Sequence, residues 1–135
     1  MKNMIEIRRY RDIVKKTCGC QPEMMLENFK GFVHFCGSGS HILEYFLNCE
    51  HVKIINFGNP ERFGWNETMK LIARHGKTYY GTVNRFAGES LFEYFERVLE
   101  PIERKCNLMF VPQLRSGEEP EEAIEIWHNL QDKKF

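Results

Sequence analysis

Apolar positions recur along this chain with two different periods. Short β-like runs occur at residues 31–36, Gly-Phe-Val-His-Phe-Cys, and 51–57, His-Val-Lys-Ile-Ile-Asn-Phe. Two more follow at 77–83, Lys-Thr-Tyr-Tyr-Gly-Thr-Val, and 107–112, Asn-Leu-Met-Phe-Val-Pro. Each is bounded by Gly, Pro or Asn, the residues that end strands. Between them the period lengthens to that of helices. Residues 3–17 place Ile5, Ile7, Ile13 and Val14 among Arg and Lys, which predicts a leading amphipathic helix. Ser40 suits the N-cap of a helix over 41–47. A second helix is expected over 66–75, with Gly76 at its C′ position. A third covers about 89–105, where Pro101 breaks or restarts it. Pro120 suits the first position of a last helix through about Leu130.

One helix followed by four βα units predicts an α/β fold with parallel strands and helical crossovers. Parallel neighbours need long connections, and the strand starts lie far enough apart to supply them. No linker or low-complexity tract divides residues 1–135, so a single domain is expected. The 135 residues contain 19 Lys plus Arg and 19 Asp plus Glu, for a formal net charge of zero. That balance offers no electrostatic attraction for nucleic acid or an anionic membrane. No apolar run reaches the ~20 residues that span a bilayer. The charged start carries no signal-peptide pattern, so a cytoplasmic location and reduced thiols are expected for the five cysteines.

Three groups of residues can carry chemistry. His34 and Cys36 are two apart on a strand, so they point to one face and are suited to two positions around a zinc ion. The alternative is an ordinary packed strand. Gly37-Ser38-Gly39-Ser40-His41 joins a strand to a helix; it is either a tight turn or a place where backbone approaches a ligand. Asn56 with Asn59, Asn84 with Arg85, and Gln113 with Arg115 end the other strands, where parallel α/β folds bind ligands. The two arginines are suited to a carboxylate or phosphate, although strand-end loops are polar in any case. Cys18 and Cys20 form a possible metal pair at the opposite end of their strand. Cys49 and Cys106 read as structural thiols.

The run Val33-His34-Phe35-Cys36-Gly37-Ser38-Gly39, followed by a helix, resembles the fifth-strand signature of the uroporphyrinogen decarboxylase superfamily. Ile54-Ile55-Asn56, Tyr80-Gly81-Thr82-Val83-Asn84 and Phe110-Val111-Pro112 before Pro120-Glu121-Glu122 are similar to its later landmarks, in the same order over residues 5–130. The resemblance implies the C-terminal four βα units of a TIM-type (β/α)8 barrel, a parallel half-barrel with a leading helix. The pattern is most similar to the zinc-dependent, corrinoid-linked methyltransferase branch. There, His34 and Cys36 match two zinc ligands, and zinc activates a small thiol for methyl transfer. The third ligand of that branch is a distal Cys, where this chain has Gln113. The decarboxylases' His of this region is absent too, and their Arg and Asp lie on the first half of the barrel. In a half-barrel of four strands, Phe32, Ile54, Tyr80 and Phe110 or their immediate neighbours would face the open interior and need cover: a second copy in a homodimer, with a separate N-terminal half or the segment 18–30 as rivals. The competing expectation is a non-catalytic family member that folds and self-associates.

Overall fold

The computed structural model describes residues 31–36, 40–103 and 107–135, without the side chains of Ser40, His41 and Asn107. The leading helix expected at 3–17, the Cys18–Cys20 pair, the glycine turn at 37–39, the Ser40 cap and Cys106 lie outside the described residues. Within them, strands β1 (Gly31–Phe35), β2 (Val52–Phe57), β3 (Thr78–Gly81) and β4 (Asn107–Phe110) form one sheet in the order β1-β2-β3-β4. Every neighbouring pair is parallel. Helices α1 (Ser40–Asn48), α2 (Trp65–Arg74), α3 (Leu91–Leu99) and α4 (Pro120–Lys134) alternate with the strands. The α/β class, the parallel pairing and the strand order therefore agree with the βα alternation of the sequence. None of the described helices is long and apolar enough to cross a membrane.

Local chemistry sets the element ends. Helix α2 stops where Gly76 takes φ +62°, a conformation that costs glycine little. Gly76 N–H donates to Ala73 O and Lys77 N–H to Ile72 O, which completes a Schellman motif. Ser90 and Glu93 form a reciprocal capping box at the start of α3. The helix therefore begins at Leu91, two residues later than the expected start near 89, and ends at Leu99, before Pro101. Pro120 opens α4, which continues past Leu130 to Lys134. Strand β3 pairs only through Gly81, shorter than the 77–83 run. Gly81 has φ +146°, and the Tyr79 hydroxyl donates to Thr82 O at 2.6 Å, so the chain leaves the sheet there.

The two faces of the sheet have different fates. Val33, Phe35, Ile55, Phe57 and Tyr79 alternate onto one face and join Leu43, Phe46, Met69, Ile72, Tyr94, Phe95 and Val98 from the helices in one buried core. Aromatic rings are prominent there: Phe57 lies 4.4 Å from Phe63 and 4.8 Å from Tyr79, centroid to centroid. Such pairs add about 0.5–1.5 kcal/mol each beyond their burial. The other face carries Phe32, His34, Ile54, Asn56, Tyr80 and Met109; Phe32 is 50% and Met109 53% exposed. Of the residues expected on this open face, Phe32, Ile54 and Tyr80 are there. Phe110 is not. Its ring packs 5.1 Å from Trp127 and 5.5 Å from Tyr94 on the helix side. Its neighbour Met109, paired with Tyr80, takes the open position.

Candidate functional site

The carboxyl ends of the strands on the open face bring polar side chains together from three separate stretches of sequence. His34 on β1 is paired in register with Asn56 on β2. Asn56 Nδ2 donates to the Tyr80 carbonyl at 2.5 Å. That carbonyl can only accept, so the Asn56 amide nitrogen faces it and Oδ1 faces His34 Nδ1. Nδ1 therefore carries the imidazole proton, and Nε2 presents its lone pair to Cys36 Sγ, 3.2 Å away. Orientation of a histidine by a second polar group is how proteins set its tautomer.

Two glycines make room for this cluster. A Cβ on Gly58 would stand 2.7 Å from Cys36 Sγ and 3.4 Å from His34 Cε1. A Cβ on Gly81 would collide with Asn56 Nδ2 and lie 2.9 Å from the Tyr79 hydroxyl. Chemically, the pair can offer an imidazole nitrogen and a sulfur to one soft cation, or let the thiol donate to Nε2. Among the described residues, no group of three or more His, Cys, Asp or Glu is placed to hold a metal ion.

Beside the cluster, a cavity of about 520 Å³ opens over the ends of β2, β3 and β4. Asn56, Asn59, Glu61, Tyr80, Asn84 and Gln113 contribute its polar lining. Its amides form one directed chain. The Arg85 backbone N–H donates to Gln113 Oε1 at 2.9 Å, and Gln113 Nε2 donates to Asn84 Oδ1 at 3.4 Å. Asn84 Nδ2 then donates to Glu61 Oε2 at 3.2 Å, while Asn59 Nδ2 donates to Glu61 Oε1 at 3.1 Å. Glu61's own backbone N–H, then the Asn59 amide, hold its carboxyl below the usual value.

Asn56, Asn84 and Gln113, expected at a ligand site, thus line this cavity. Arg85 and Arg115 do not. The Arg85 side chain is 3% exposed and grips Glu118 with two nitrogens, at 2.6 and 2.7 Å. Arg115 donates to the Glu89 carbonyl at 2.9 Å and the Phe86 carbonyl at 2.7 Å. Both guanidinium groups tie loops together rather than face the cavity. The sequence reading also missed Glu61, which lies in a 3-10 turn, Pro60–Arg62, after β2. A carboxylate one residue after a proline, directly beyond a strand's carboxyl end, was the available signal. No protein-family model, curated protein or solved structure matches the chain.

Proposed function

We propose that this chain is the C-terminal half of a uroporphyrinogen-decarboxylase-type barrel, similar to the corrinoid-linked methyltransferase branch, and that its strand ends form half of a small-molecule site. The observation that carries this reading is the convergence of His34, Cys36 and Asn56 on the open face, with Nε2 and Sγ 3.2 Å apart. A four-stranded parallel sheet with helices on one face is what half of a (β/α)8 barrel contributes, since the whole needs eight strands and about 250 residues. The open face is then the half-interior, and the cavity lies where barrel enzymes place their ligands. In the branch resembled, zinc supplies activation of a thiol substrate. His34 Nε2 and Cys36 Sγ fit two of its positions, with Asn56 behind the imidazole as a supporting partner. The three-residue set is not met among the described residues: Gln113 stands in place of the third ligand, and its amide is engaged by Arg85 N–H and Asn84.

That shortfall supports a second reading, a family member that keeps the fold and associates without chemistry. Elemental analysis, combined with a test of methylcobalamin demethylation by small thiols, separates the two. Zinc near one equivalent, lost in His34→Ala and in Cys36→Ser together with turnover, is the result expected of a methyltransferase half-site. A chain free of zinc and without turnover selects the non-catalytic reading. Turnover that survives both substitutions refutes the assignment of these residues.

A further inference from the structure

The strand-end cavity has a charge that the sequence does not announce. Among the described residues that line it, Glu61 is the one charged side chain. The two cations of the strand-end sequence pattern, Arg85 and Arg115, are committed to Glu118 and to the backbone of the 86–89 loop. Arg62, next to Glu61, does not line the cavity; its charge is the last and smallest of the influences on the Glu61 carboxyl.

The hydrogen-bond polarity points the same way. Donors run from Arg85 N–H through Gln113 and Asn84 to Glu61, with Asn59 donating from the other side. The carboxylate is thus held in one orientation before any ligand arrives, and it remains exposed. A fixed carboxylate recognises N–H donors by charge-assisted hydrogen bonds. A carboxylate or phosphate entering the same cavity would meet a like charge and no cation. Tyr80, half on the open face beside Phe32 with ring centroids 6.0 Å apart, adds an aromatic surface of the kind that attracts organic cations.

We infer that this cavity binds a small organic cation, an ammonium or amidinium group on an uncharged body, with Glu61 as its anchor, and that it discriminates against carboxylates and phosphates. The inference rests on the strand-end cavity being the small-molecule site proposed above. It gives Gln113 a role as a positioning residue: its amide orients Asn84, which orients Glu61.

The test compares benzamidinium, benzyl alcohol and benzoate as probes by NMR chemical-shift titration of the full chain at low ionic strength. Benzamidinium is expected to bind about ten-fold more tightly than benzoate, the scale of an exposed but pre-oriented charge pair. Its shifts should gather at Asn59, Glu61, Tyr80 and Asn84. Glu61→Gln should bring benzamidinium down to the level of benzyl alcohol, and Glu61→Lys should reverse the preference toward benzoate. Benzoate binding as tightly as benzamidinium, a preference that survives Glu61→Gln, or no binding of any probe up to its solubility limit would each overturn the inference. Zinc content and methyl transfer do not pass through Glu61. Their failure would remove the methyltransferase reading and leave this binding comparison intact.

Discussion

Single residues at the strand ends are chosen for what they leave out as much as for what they add. Gly81 combines φ +146° with a missing Cβ that would otherwise strike the Asn56 amide. Gly81→Ala should therefore cost about 1–3 kcal/mol, the scale of backbone strain at a position only glycine adopts easily. It should also free the His34 ring, because Asn56 can no longer hold both Tyr80 O and Nδ1. Chemical denaturation gives the first quantity, and the two-bond nitrogen–proton couplings of the imidazole give the second. An unchanged tautomer in the variant would mean that Asn56 does not set it. Tyr94 is another such position: fully buried, it donates to Val83 O at 2.5 Å and accepts from Gln113 N–H at 3.3 Å. Its hydroxyl joins the end of β3 to the end of β4, and burial pushes its pKa up.

At the scale of elements, the loops after β3 and β4 are held by ion pairs as well as by the packing of Val83 and Leu114 against the core. Arg85 pairs with Glu118 and Arg97 with Glu89, each at 2.6 Å, and all four side chains are less than a quarter exposed, while Arg97 also stacks over Phe86 at 3.9 Å. The Arg85 guanidinium holds Glu118 down to about 2 from an ordinary 4.5, and Arg97 lowers Glu89 in the same direction. A carboxyl depressed on folding contributes stability above its unfolded value and loses it as the pH falls through the folded one. Thermal stability should thus decline as pH drops from about 4.5 toward 2, with the βα loops loosening first. Melting followed by circular dichroism across that window checks it, and Glu118→Gln should flatten the curve. A variant as acid-sensitive as the parent would remove the ion pair from the account. Lys77 plays a related part at the other end of the sheet, donating to Cys49 O at 2.7 Å and Val52 O at 2.6 Å where α1 turns into β2.

Among the described residues, the sheet is covered on one side. The described helices bury one face of the sheet, while Phe32, Tyr80, Met109 and Val111 remain exposed. Each such side chain forgoes up to about 1.5–3 kcal/mol relative to full burial, which in sum rivals the stability of a small domain. Strands β1 and β4 each pair on one side only among the described residues, and open edges invite further pairing. A two-fold homodimer is the commonest cover for such a surface, and a separate N-terminal half-barrel is its rival. We expect light scattering at micromolar concentration to return twice the 16.1 kDa chain mass. Met109→Lys, at a position already exposed, should weaken that association without lowering the helix content. A stable particle of one chain mass would sink the dimer.

How much of this was legible beforehand divides by the range of the interactions. The strand segments, their parallel order, the Gly76 stop and the Pro120 start depend on periodicity and on residues with special backbone chemistry, all of which act within a few positions. Side-chain alternation likewise placed His34 and Cys36 on one face. What β4 shows, by contrast, depended on register: a shift of one residue exchanges Met109 and Phe110 between the faces, and the Trp127 ring on α4 decides it. The arginines were legible as strand-end residues but not as spent ones, because the Glu118 carboxylate that Arg85 grips and the Glu89 carbonyl that Arg115 holds lie 33 and 26 residues away. Glu61 is tied to the rest of the cavity through Asn84 in the loop after β3, 23 positions on. Composition and spacing thus determined the elements of this protein, while the charge of its cavity was decided by tertiary pairing, since a hydrogen bond between distant residues exists only once the register has brought them together.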